Sequence, residues 1–157
     1  MLIREIEKKD NERIEEVIRT CLKEFGGDRE GLAWEDPELA CLSEAYKDKG
    51  SRYWVVENEG EIIGGCGIGP IKKLEGVCEL QKMYFLKESR GTGAANKLMK
   101  IALDFAKENY DKCYLETLSN MEAANKFYQK YDFKKLEKPI VDTGHFSCDV
   151  WYIKDLK

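Results

Sequence analysis

CELQKMYFLKESRGTGAANKLMKIALDFA, residues 78–106, decides how this chain folds. A run of strand-forming residues breaks at a glycine-containing turn and re-forms as an amphipathic helix over 92–108. In Arg90-Gly91-Thr92-Gly93-Ala94-Ala95 the side chains are small where that helix begins, so consecutive backbone N–H groups can face outward and approach an anion closely. A helix start is already weakly positive, and Arg90 can add a charged bidentate contact. Ala95, Leu98, Ala102 and Phe105 then fall on one helical stripe and hold the helix, with its N-terminus, against a sheet. The stretch reads as a phosphate-binding site.

Working outward, residues 77–86 form the strand that enters this turn and CYLETL, 113–118, the strand that returns beside it, a β-α-β crossover with a parallel pair at the centre. Upstream, RYWVVE and EIIGGCGIG flank Asn58-Glu59-Gly60 as an antiparallel hairpin. Its glycines at 64, 65, 67 and 69 are followed by Pro70 rather than by a helix, so they indicate close strand packing or a bulge rather than a second phosphate loop. Residues 2–7 read as a first strand, and Ile14, Val17, Ile18, Cys21 and Leu22 keep helical spacing up to Gly26-Gly27. Asp36-Pro37 opens a second helix through Leu39, Leu42 and Tyr46. Downstream, Ser119-x-x-Glu122 reads as a capping box for a helix carrying Ala124, Phe127, Tyr128 and Tyr131. FKKLEK and HFSCDVWYI then close the sheet as a hairpin.

Composition narrows the function classes. The 157 residues, 43% apolar and 36% charged, suit one globular domain over 1–157. No run is long enough for a membrane span, and MLIREIEKKD turns charged before a signal-peptide core forms, so the expectation is a cytoplasmic protein without a membrane partner. A net charge of −4 and a pI near 5.3 argue against nucleic acid. The six cysteines are scattered without a Cys-x-x-Cys pair and are expected to be buried reduced thiols, and one histidine, His145, without matching ligands gives no metal site. Asp28, Glu30, Glu35 and Asp36 around Trp34 form an acidic loop that reads as a solvated surface or as an attractor for a cationic substrate.

The spacing Arg-x-x-Gly-x-Ala from Arg90 to Ala95, followed by Leu98, resembles the coenzyme A pyrophosphate motif of the GNAT superfamily of N-acetyltransferases, and Asn96 stands where a dinucleotide fingerprint would want Gly or Ala. The element order β-α-α-β-β-β-α-β-α-β-β is that family's arrangement. The resemblance therefore implies an α/β (α+β) fold: a mixed central sheet of about seven strands flanked by about four helices, with a central β-α-β coenzyme A-binding unit. It further implies direct transfer of acetyl from acetyl-CoA, as cosubstrate, to an amine acceptor, and leaves a homodimer open.

That chemistry sets three requirements, which the resemblance maps onto this sequence. The pantetheine arm pairs with backbone groups of the central strand, here at Met83 and Phe85, while Arg90, Gly91, Thr92, Gly93, Ala94 and Ala95 surround the pyrophosphate. An amine is almost wholly protonated at pH 7, so a base is needed. Glu79, eleven residues before Arg90, matches the glutamate of histone-modifying members, with water as the other choice. The departing thiolate takes a proton or hydrogen bond, and Tyr128 in Ala124-Asn125-Lys126-Phe127-Tyr128 matches the family's acid. Two positions depart from the pattern: Met121 stands where many members have a coenzyme-contacting asparagine, with Asn120 as a substitute, and Asp132 replaces a glycine before Phe133. The sequence leaves a non-catalytic acyl-CoA-binding regulatory module and a nucleotide-binding α/β protein as rival readings. It does not name the acceptor, which the loops 26–36 and 138–146 would choose.

Overall fold

Val77–Phe85, the strand that leads into the glycine turn, lies at the middle of a seven-stranded sheet in the computed structural model, which describes residues 1–157. The elements are β1 (Leu2–Glu5), α1 (Asn11–Glu24), α2 (Leu42–Ala45), β2 (Arg52–Asn58), β3 (Glu61–Pro70), β4 (Val77–Phe85), α3 (Ala94–Asn109), β5 (Lys112–Thr117), α4 (Glu122–Lys130), β6 (Lys134–Leu136) and β7 (Val150–Asp155). The spatial order is β1-β2-β3-β4-β5-β7-β6, with every neighbouring pair antiparallel except β4 and β5. The mixed sheet and four helices agree with the fold expected from the sequence.

Two cores, one on each face, fix the sheet. On one face Leu98, Met99 and Ala102 of α3 and Tyr128 of α4 pack with Trp54, Cys66, Ile68 and Tyr152. On the other, Ile14, Val17 and Ile18 of α1 pack with Leu39, Leu42, Tyr46, Tyr53 and Val55. Both helical stripes are the periodic residues of the sequence, because burying an apolar face is what stabilises a helix against a sheet. The β2–β3 hairpin turns through Glu59 and Gly60 with φ of 51° and 82°, the left-handed pair that matches the strand twist.

The β3 glycines are a packing device. A Cβ on Gly67 would lie 2.7 Å from ring atoms of both Tyr46 and Tyr53. These two rings bring polar ends to β4: the Tyr46 hydroxyl donates to Gln81 Oε1 at 2.6 Å and the Tyr53 hydroxyl to the Lys82 carbonyl at 2.9 Å. Glycine on β3 therefore lets two tyrosines reach across to the strand that carries the site.

Several expectations need correction. The helix expected from Asp36 is broken into 3-10 turns at Ala33–Glu35 and Pro37–Ala40 and the four-residue α2, with Cys41 at φ −143° and ψ 50° between them. Leu39 and Leu42 are buried all the same, because their spacing of three suits a 3-10 turn as well as an α-helix. The chain from 137 to 149 is loop, and strand structure resumes only at Val150. The capping box is not formed. Ser119 donates instead through its backbone N and its hydroxyl to Asp149, at 2.8 and 2.7 Å. The first strand ends at Glu5, and α3 starts at Ala94 rather than at residue 92. All six cysteines are free, but Cys41 is exposed and Cys148 only partly covered. Asp132, where the family pattern has a glycine, takes a left-handed conformation with φ 65°. No helix is long and apolar enough to cross a membrane.

Gly67→Ala is expected to lower stability by about 1–3 kcal/mol, the usual cost of overpacking, because neither ring can move without losing its hydrogen bond. A urea unfolding midpoint equal to that of the parent protein would show that the two tyrosines are not held against β3.

Candidate active site

The site starts where strand pairing stops. β4 pairs with β5 only at Val77, Cys78 and Glu79, opposite Lys112, Cys113 and Tyr114. β4 then continues to Phe85 and β5 to Thr117 without pairing, and the two splay apart. The register of β4 with β3 shifts between Gly65 and Gly67, and Lys82 takes φ 49°, so a bulge bends β4 at the mouth of the gap. Leu86 N donates to Ile63 O at 2.9 Å, which fixes the alternation. Tyr84 and Leu86 bond toward β3, while the N–H and C=O groups of Met83 and the N–H of Phe85 point into the gap. A cleft of about 480 Å³ opens there, walled by Met83 and Phe85 on one side and by Ala124, Phe127 and Tyr128 of α4 on the other.

At the far end of the cleft stands the glycine turn. Gly91 and Gly93 have φ of 79° and 86°, and a Cβ at either would meet nothing within 4 Å, so the space above the turn is open. The first intrahelical bond of α3 is Lys97 N to Gly93 O at 3.2 Å, leaving the N–H groups of Ala95 and Asn96 unused at a positive helix end. Gly91, Gly93, Ala94 and Ala95 line the cleft. The exposed Thr92 spends its hydroxyl within the turn, donating to Ser89 O at 2.7 Å and accepting from Ala94 N at 3.4 Å.

Three residues expected at the cofactor are placed differently. Arg90 lines the cleft, but its fork is bound bidentately to Glu24 at 2.6 and 2.8 Å and to the Phe85 carbonyl at 3.0 and 2.8 Å, so it braces the turn rather than offering that fork to a phosphate. The Phe85 carbonyl is thereby occupied, with Cys21 Sγ also donating to it at 3.3 Å, and only its N–H faces the gap. Asn120 is exposed, donates to Phe25 O at 2.9 Å and does not line the cleft. Met121 takes that place.

A second, smaller cavity of about 70 Å³ lies at the base of the splay. Met83, Tyr84, Met121 and Tyr128 line both cavities, so the two meet there. The Tyr128 hydroxyl has no hydrogen-bond partner although the residue is only 7% exposed, and burial pushes its pKa well up, keeping the proton on oxygen. In the smaller cavity Glu79 is 8% exposed and accepts from Gln81 Nε2 at 2.7 Å. The Tyr46 hydroxyl holds the other end of that amide. Burial raises the Glu79 pKa and outweighs the lowering by the Gln81 hydrogen bond; the nearby Glu116 charge raises it further, against the lesser lowering by His145 and Lys82.

Of the charged groups at this cavity, the sequence reading passed over Glu116 and Lys82. Glu116 accepts from the Tyr114 hydroxyl at 2.7 Å and from Thr143 Oγ1. Lys82, whose side chain is 5% exposed, ion-pairs with Asp36 at 2.8 Å and Glu38 at 3.4 Å. His145 Nε2 also meets Asp36, at 2.9 Å, and that contact raises the His145 pKa despite burial, favouring the imidazolium. Burial works to raise the Asp36 pKa, but the contacts from His145 and Lys82 win and hold it below the usual range. Of the acidic loop, then, Asp36 is an internal ion-pair member. Its position before Pro37 gave no sign of that.

Comparisons with known proteins agree with this geometry. The profile of the acetyltransferase (GNAT) family matches residues 12–133. The chain belongs to this family. As a family member it is an acyl-CoA-dependent acetyltransferase. It is 40% identical over 159 residues to the uncharacterized N-acetyltransferase YjgM of Escherichia coli (strain K12), covering 99% of this chain and 95% of that one. An acetyltransferase of the GNAT family from Staphylococcus aureus Mu50 shares the fold with a TM-score of 0.85 and 24% identity, covering 99% of each chain. So does an aminoglycoside 6′-N-acetyltransferase complexed with coenzyme A, with a TM-score of 0.71 and 14% identity over 100% of this chain and 98% of that one.

Gly93→Asp combines a side chain at φ 86° with a carboxylate in the open space above the turn. Acetyl-CoA affinity measured by isothermal titration is expected to fall at least tenfold, about 1.4 kcal/mol. Unchanged affinity in a folded variant would move the phosphate site elsewhere.

Proposed function

We propose that residues 1–157 act as one N-acetyltransferase unit that moves the acetyl group of acetyl-CoA directly to a primary amine. The observation that carries this is the meeting of the two cavities at Tyr128. An unpartnered, protonated hydroxyl stands at the junction, with the buried carboxylate of Glu79 in the smaller cavity.

In this reading the pyrophosphate rests on the N–H groups from Gly91 to Asn96, with Thr92 and Arg90 shaping the turn from behind. The pantetheine arm lies in the splay as a further strand would, against the backbone of Met83 and the Phe85 N–H. The thioester then reaches the junction. The acceptor enters the smaller cavity as an ammonium, gives one proton to Glu79 directly or through water, and its nitrogen, now neutral, attacks the thioester carbonyl. A C–N bond forms, the C–S bond breaks, and the second proton, which nitrogen carries after attack, ends on the departing sulfur, either directly or by replacing a proton that Tyr128 has given up. The departing thiolate takes a hydrogen bond or a proton from Tyr128. Glu79 suits the role because burial raises its proton affinity toward the working pH, and Gln81, held by Tyr46, fixes the orientation of its carboxylate.

Glu79→Gln keeps the size of the side chain and removes the base. A base must be ionised to act, so kcat/KM of the parent protein is expected to fall as pH drops through the raised Glu79 pKa, giving an acidic limb above the ordinary glutamate range. The variant is expected to lose that limb together with roughly 10²–10⁴-fold in rate. Two pH profiles of the same shape and height would leave Glu79 without a role as base.

A further inference from the structure

The smaller cavity has a charge balance that selects its occupant. Glu79 is the last β4 residue paired with β5, opposite Tyr114, and Glu116 lies two residues further along β5 on the same face as Tyr114. The two carboxylates therefore share one wall. Glu116 is held from two directions, by Tyr114 from its own strand at Oε2 and by Thr143 from the 137–149 loop at Oε1, so its position is fixed while lone pairs remain free.

Two cationic groups also line this cavity, Lys82 and His145, and both are committed: Lys82 to Asp36 and Glu38, His145 to Asp36. Those charges offset one another. Glu79 and Glu116 have no salt-bridge partner, so the cavity carries two uncompensated carboxylates next to the unpartnered Tyr128 hydroxyl. Past His145 and Leu32 an outer basin of about 350 Å³ continues the pattern, with Glu30, Glu35 and Asp36 in its lining and no lysine or arginine.

We propose that Glu116 anchors the acceptor's ammonium group and that the acceptors are primary amines free of carboxylate or phosphate, diamines included. This rests on the acetyl-transfer reading of the same site. An arriving ammonium places its positive charge between Glu79 and Glu116, relieves their repulsion, and gives up one proton on the Glu79 side while Glu116 keeps the nitrogen in place. Only one carboxylate is consumed as base, and the other keeps the neutral nitrogen in place by accepting a hydrogen bond from its N–H. A substrate carboxylate beside the nitrogen would be driven against the same pair.

The test uses two matched pairs that differ by one carboxylate, 1,5-diaminopentane against lysine and tyramine against tyrosine, with acetyl-CoA and thiol release as readout. At least one amine is expected to be acetylated with kcat/KM at least 100-fold above its carboxylated counterpart. Glu116→Gln is expected to raise the KM of that amine at least tenfold with a smaller change in kcat and an unchanged acetyl-CoA Kd, and Glu116→Asp to recover part of the KM. A purely structural role for Glu116 would not produce that split. The inference is overturned if the amino acids react as well as the amines, if Glu116→Gln leaves KM within twofold, or if neither amine is acetylated by a protein that binds acetyl-CoA. Failure of the protein to bind acetyl-CoA at all would instead remove the acetyl-transfer reading, and this inference with it.

Discussion

Three residues of parallel pairing hold the centre of the sheet, and the site depends on their being only three. Had β4 and β5 remained paired beyond Glu79 and Tyr114, the N–H and C=O groups of Met83 would be satisfied within the sheet and no cleft would exist. Several features keep the strands apart. The bulge at Lys82 bends β4, the Tyr53 hydroxyl ties down the bulged carbonyl, and α4 places Phe127 and Tyr128 along the far wall. Unpaired edge backbone is a liability in a sheet, and here it faces a ligand-sized space instead of bulk solvent.

Electrostatics divide the site into two ends. At the glycine-turn end there is little free positive charge: Arg90 is neutralised by Glu24, so an anion there would rely on backbone N–H groups and the helix terminus. At the smaller cavity the charges are side chains brought from distant segments. Asp36 from the first long loop binds Lys82 of β4 and His145 of the last loop, while Thr143 reaches Glu116 and Ser147 N donates to Gly31 O at 3.0 Å. The loops that line the smaller cavity are thus fastened to each other and to the strand carrying Glu79.

What was legible in the sequence follows from range. The apolar periodicities of α1 and α3, the hairpin at Asn58-Glu59-Gly60 and the glycine turn at 91–93 are local signals, and each element formed as read apart from its ends. The broken helix after Asp36 was misread because Leu39 and Leu42 fit both helical repeats. Side-chain partners were not legible at all. Arg90 and Glu24 are 66 residues apart, and His145 and Asp36 are 109 apart, so nothing local announces either pair. The exchange of Asn120 for Met121 at the cleft is a matter of one residue in a turn whose cap formed with Asp149 rather than within the helix.

The central claim is that the β4–β5 splay holds an acyl-CoA with its thioester at Tyr128, and a crystal structure of the acetyl-CoA complex tests it most directly. The expected density runs through the gap, with the pyrophosphate over Gly91–Ala95 and pantetheine amides bonded to the backbone of Met83. The thioester sulfur would lie within about 3.5 Å of the Tyr128 hydroxyl, loosely enough for a thioether-like acceptor. Acetyl-CoA bound outside the gap, or bound in it with the thioester remote from Tyr128, would contradict the claim.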